Sequence, residues 1–164
     1  MGYSASCLKM WEAYQRYRAL DADTRKTFRR AVVLLPLVRL SLRVRGYKKT
    51  QESLQGRLVR KAASAPEQGH SRREVDGTCR MVRAATHYGP GHATCLEESL
   101  TLWYLLGRQG IAASVRIGVR KLGEQFEAHA WVEWQGTALN QAEEMHQHYA
   151  AFESEFSGLP KEHP

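Results

Sequence analysis

The sequence predicts an α+β fold: a helical N-terminal region, then one further helix packed on a small antiparallel sheet. Three observations point there. Apolar residues recur at helical spacing through most of the first 109 positions. Two later stretches, around 113–119 and 126–134, alternate apolar and polar residues with the period of a half-buried strand. Between them and the first half lies a breaker, Gly89-Pro90-Gly91, followed at once by Cys95 at the head of an amphipathic run.

In chain order, Leu8–Leu20 carries Leu8, Trp11, Ala13 and Tyr14 on one apolar side. Asp21 or Asp23 suits the cap of a second helix over about 24–44. Leu34, Leu35, Leu37, Val38 and Leu42 supply its buried face, with Arg25, Arg29, Arg39 and Arg43 opposite. Pro36 is expected to kink or split this run, and Gly46 to end it. A shorter helix is expected over 51–63, a linker over 64–71 and another helix over 73–87. Helix 94–109 places Leu96, Leu100, Trp103 and Leu106 together, and Gly110 ends it. Strands follow over 113–119 and 126–134. Gln135-Gly136 is the expected two-residue turn into a strand over 137–140. A last helix is expected over 143–156, with a loose tail. Most of the four tryptophans are expected in the core.

With 164 residues the chain can bury a working core. We divide it into a basic helical region, residues 1–70, and a core, residues 71–164. Residues 1–84 hold 19 Lys/Arg against 7 Asp/Glu, and residues 85–164 hold 5 against 10. Such asymmetry suits an anionic partner, and equally a set of solvated helix faces. The densest basic stripe is Arg29, Arg30, Arg39, Arg43 and Arg45. Three cysteines without CxxC spacing argue against a disulfide scaffold and for a reducing, cytoplasmic setting. No secretory signal pattern opens the chain. Its longest apolar run, Ala31–Val38, is too short to span a bilayer, so no integral membrane segment is expected.

The candidate chemistry rests on Cys95 and His129. A helix N-terminus favours a thiolate over a thiol, and a histidine on a neighbouring strand can serve as base and then acid. A third group must orient the imidazole. With Gln135 and Gly136 as the turn, Trp131 pairs with Asn140 and His129 lies diagonal to it on the same face. Asn140 is therefore the preferred orienter, and a register slip would choose Gln141. Trp131, on the histidine's face, is the candidate to line a substrate groove. The bland alternative keeps Cys95 as a small core hydrophobe and His129 as a satisfied core histidine. Cys79, His87, His92 and Cys95 match no compact zinc spacing, so no metal or other cofactor is expected. GPGHATC lacks the ending of a phosphate-binding loop.

The segment HATCLEESLTLWYLLGRQGIAASVRIGV followed by FEAHAWVEWQGTALN resembles the transglutaminase-like B2 proteins of lasso peptide biosynthesis, a leader peptidase family. The likeness is concentrated in Thr94–Asn140 and weaker over FRRAVVLLPLVRLSLRVRGYKKTQESL. It implies a papain/transglutaminase-like core with Cys95 as nucleophile and His129 as general base. It implies a cysteine protease acting on the leader of a ribosomally made precursor, with a separate leader-binding protein and an ATP-dependent lasso cyclase as partners and no nucleic acid. The chain departs from the family at the orienter, usually aspartate, and at Glu97 and Glu98, where the family often has a basic residue. Two rival readings are a related thiol acyltransferase and a non-catalytic basic module for nucleic acid or lipid.

Overall fold

The computed structural model of the chain describes residues 11, 14–62, 70–89, 91–122, 125–140, 150–151 and 156–157. After a helical turn at 14–19 come α1 (Ala22–Ala62), α2 (Arg72–Tyr88) and α3 (Cys95–Arg108). The strands are β1 (Ser114–Leu122), β2 (Gln125–Trp134), β3 (Thr137–Ala138), β4 (Ala150–Ala151) and β5 (Phe156–Ser157). The α+β class expected from the sequence is the one observed. The described parts of 143–156 differ from expectation: 150–151 and 156 are strand, both short segments pairing with β1, and the rest lies outside the described residues.

Asp21 caps α1. Its Oδ1 accepts the Thr24 N–H at 2.9 Å and its Oδ2 accepts the Thr24 hydroxyl at 2.6 Å, bonds that hold this carboxyl below its ordinary pKa. The expected break at Pro36 does not occur. The non-helical backbone inside α1 is at Gly46, with φ 74° and ψ 177°. Pro36 points to solvent, where a carbonyl deprived of its helical partner can bond water. Beyond Gly46 the helix resumes directly, because Thr50 bridges the bend: its hydroxyl donates to the Gly46 carbonyl at 2.8 Å and lies 2.9 Å from Ser41 Oγ. The sequence reading of one helix ending at Gly46 and another following it is thus the one observed: α1 is two helical segments joined across a kink at Gly46.

The core is shared by all three helices and the sheet. Ala31, Leu35, Val38, Leu54 and Leu58 of α1 meet Val75, Val82 and Ala85 of α2 and Leu100, Trp103 and Leu106 of α3. Val115, Val132 and Trp134 close it from the sheet. Gly107 makes the α1–α3 approach possible, since a Cβ there would meet Leu58 Cδ1 at 2.7 Å. Several assignments change in three dimensions. Leu37, expected inside, is exposed; Arg39, expected outside, turns inward; Trp11 and Phe126 are exposed.

The sheet runs β3-β2-β1 antiparallel, with β4 and β5 on the far edge of β1. Gln135 and Gly136, with φ 49° and 75°, form the tight turn with both central residues left-handed. The pairs Trp134↔Thr137 and Glu133↔Ala138 give the hairpin the register expected from its turn. The ladder stops at Ala138, two residues short of the expected strand end.

Gly46 lies in a backbone region that is essentially glycine-only, and a methyl added to it would meet no neighbour within 4 Å. Gly46→Ala should therefore cost about 1–3 kcal/mol through backbone strain alone. A urea melt reads this directly, and an unchanged midpoint would show that the bend is not held.

Candidate active site

Cys95 is the first residue of α3, and the end it occupies is closed by a reciprocal cap. The Thr94 hydroxyl accepts the Glu97 N–H at 3.3 Å, while the Glu97 carboxylate accepts the Thr94 N–H at 2.9 Å. That carboxylate is buried and carries a second load. Arg39 of α1 donates from Nε to both Glu97 oxygens at 3.2 Å and from Nη2 to Oε2 at 3.1 Å. The same Nη2 also donates to the His92 carbonyl. One guanidinium therefore joins α1 to the loop before Cys95 and to the first turn after it. Glu97 is turned into this network and its charge is met by Arg39.

His129 stands on β2, half-buried, on the same face as Trp131 and Glu133. Its ring stacks on Trp131, with centroids 6.4 Å apart and planes 17° apart. Trp131 itself is buried against Ala138. Two carboxylates on this face are paired across the strands: Glu127 with Arg120 at 2.6 Å and Glu133 with Arg116 at 3.4 Å.

The contact between the helix that carries Cys95 and the strand that carries His129 runs along the edge of β2. Val132 donates and accepts on the β3 side, to Asn140 Oδ1 at 2.8 Å and from Leu139 N at 2.9 Å. Ala130, two residues earlier, presents its carbonyl to the same edge, beyond the end of short β3. There the Ser99 hydroxyl of α3 donates to it at 3.0 Å. Ser99 lies one helical turn from Cys95 on the same side of α3, and His129 adjoins Ala130. Asn140 completes the junction, donating from Nδ2 to Ser99 Oγ at 3.0 Å. It thus bridges the strand edge and the cysteine-bearing helix. Gln141 lies outside the described residues.

A cleft of about 330 Å³ borders this helix end, lined by Arg83, Thr86, His87, His92, Ala93 and Glu98. Burial raises the pKa of Glu98, opposed by the nearby Arg83 charge. Cys79 is different in kind from a reactive thiol: burial, helped by Asp76, pushes it up to about 11. Cys7, His146 and His148 lie outside the described residues. Among the described residues no three His, Cys, Asp or Glu side chains gather to hold a metal, and no helix is long and apolar enough to cross a membrane.

Sequence reasoning misses two parts of the site. Arg39 reads as a solvent-face residue, because a stripe of arginines gives no sign of which one turns inward. Ser99 belongs to no motif. The Thr94-x-x-Glu97 spacing does carry the capping-box pattern, and it is the legible signal for where Glu97 points.

A family model for the transglutaminase-like superfamily matches residues 31–154. The chain belongs to that superfamily, whose members are typically cysteine proteases or acyl transferases. No curated protein and no solved structure matches it significantly.

Arg39→Ala should destabilise the fold by about 1–3 kcal/mol, the loss expected when a buried charged acceptor is left without its donor. A double-mutant cycle with Glu97→Gln, read by thermal denaturation, should return a coupling of about 1 kcal/mol or more. Additivity would show the network to be idle. For Glu98, a carboxyl with a raised folded pKa contributes stability below its unfolded value and loses it as pH rises through the folded value. Glu98→Gln should accordingly flatten that fall, so that the variant gains on the parent between pH 4 and pH 7 in paired melts.

Proposed function

We infer that the chain is a cysteine peptidase that removes the leader from a ribosomally made lasso peptide precursor. The observation that supports this reading is that the helix opening with Cys95 is tied to the strand carrying His129 by the Ser99–Ala130 hydrogen bond. Membership of the transglutaminase-like superfamily supports the reaction class, and the resemblance over Thr94–Asn140 supports the substrate.

In this reading the Cys95 thiolate attacks the scissile carbonyl and His129 holds the proton taken from the thiol. As the C–N bond breaks, His129 gives that proton to the departing amine, leaving a thioester at Cys95. Water, deprotonated by His129, then attacks the thioester and releases the acid with the thiol restored. The capping box occupies the N–H groups of Thr94 and Glu97. Those of Cys95 and Leu96, between them, are the donors we assign to the oxyanion. Asn140 is the assigned third member. It fixes the junction between helix and strand, and its Oδ1 keeps a second lone pair for an imidazole donor. Trp131 serves His129 as a supporting wall, and the cleft beside Glu98 is where substrate residues would lie. Residues 71–164 would form the peptidase core and residues 1–70 its basic helical region. The partners we assign are the precursor, a separate leader-binding protein and an ATP-dependent cyclase, all in the cytoplasm.

Cys95→Ala and His129→Ala should each reduce leader removal by about 10³-fold or more, measured by mass spectrometry on precursor with partner protein present. Leader removal that survives Cys95→Ala ends the peptidase reading. A product carrying an added amine in place of a new carboxyl would make the chain an acyltransferase, since an amine can intercept the same thioester.

A further inference from the structure

Between Gly46 and the start of α1, this helix is apolar on two sides. Its inner side, Ala31, Leu35 and Val38, is buried in the core. Its outer side presents Val33, Leu37, Leu40 and Val44, each between 54% and 72% exposed. A helix that is apolar all round is ordinarily covered all round. The outer residues are spaced four, three and four apart, which is the alternation of a coiled-coil seam and not the broad stripe of a helix lying on a domain core.

The surroundings are shaped and charged. Two depressions of about 460 and 340 Å³ share Leu34 and Leu37 in their walls, one running toward Tyr104 and the other toward Leu54. Cations line them, notably Lys26, Arg29, Arg30, Arg45 and Arg57, and neither has an Asp or Glu in its lining. Arg29 and Arg43 fall at the position flanking the seam where coiled coils place the charges that choose a partner. A second copy of the same surface would set arginine against arginine. A membrane-lying helix places Trp, Phe and Leu on its apolar side, and this narrow seam of two valines and two leucines holds no aromatic anchor. The seam spans about 17 Å, three turns, which suits one short helical segment.

We propose that the outer face of α1, Val33 to Val44, is a docking groove for an acidic amphipathic helix of a partner protein. Its apolar residues seat between Leu37 and Leu40, and its carboxylates meet Arg29 and Arg43. This surface is distinct from Cys95 and holds whatever chemistry that residue performs. It gives the positive N-terminal half a defined use: the charge selects a partner, and the seam supplies the affinity.

The test is binding of the full chain to two labelled synthetic heptad peptides, alike in Leu and Val at the seam but carrying Glu in one and Lys in the other at the flanks. Fluorescence anisotropy at moderate salt should show binding of the Glu peptide and roughly tenfold or weaker binding of the Lys peptide. Leu37→Glu should remove Glu-peptide binding, and Arg29→Glu with Arg43→Glu should reverse the preference. All three positions are exposed, so thermal melts should match the parent; Leu40→Ser provides a second seam variant should Leu37→Glu not fold. Equal binding of both peptides, or binding that survives both seam variants, overturns the proposal. So does Leu37-dependent sedimentation with phosphatidylglycerol vesicles when the Glu peptide is not bound, which would assign the face to a membrane. A dimer lost in Leu37→Glu would assign it to a second copy and overturn the proposal equally.

Discussion

The buried carboxylate of Glu97 is the constraint around which the rest of this structure is arranged. A carboxylate taken out of water must be paired and hydrogen-bonded or it destabilises the fold. Here it is both, by Arg39 from the first long helix and by the N–H of Thr94 at its own helix end. Meeting that requirement fixes where α3 begins, and so where Cys95 stands. It also fixes how α1 crosses it. The acidic residue that reads in the sequence as an electrostatic burden on the thiol is, in the fold, a neutralised anchor.

The helix is secured a second time one turn later. Short β3 leaves the β2 edge open at Ala130, and an open edge must satisfy its polar groups by other means. Ser99 and Asn140 do so, tying the edge to α3. The first turns of the cysteine helix are thus held on one side by an ion pair and on the other by hydrogen bonds to the histidine's strand. Such two-sided support is what a site needs if its groups are to keep a fixed geometry.

Much of the fold was legible in the sequence because local rules carry it. The Asp21 cap, the turn at Gln135-Gly136 and the hairpin register follow from turn chemistry and from the two-residue period of strands. Where the reading failed, a non-local contact decided. Pro36 left its helix uninterrupted because it faces water, while the break stayed at Gly46, where the sequence ends that helix and where Thr50 holds the bend. The helix expected over 143–156 yields strand at its described positions because β1 offers an edge there.

The sequence by itself determined the α+β class, the placement of Cys95 at a helix start and of His129 on a strand, and the transglutaminase-like character of the segment between them. These depend on periodicity, caps and turns, which act over a few residues. Only the tertiary structure decided which arginine of the basic stripe turns inward and that Ser99 joins helix to strand. It also decided that Leu37 and its neighbours face outward while Leu35 and Val38 face the core. Each of those outcomes depends on what lies across from a side chain, and a helix with two apolar sides does not itself say which one the core will take.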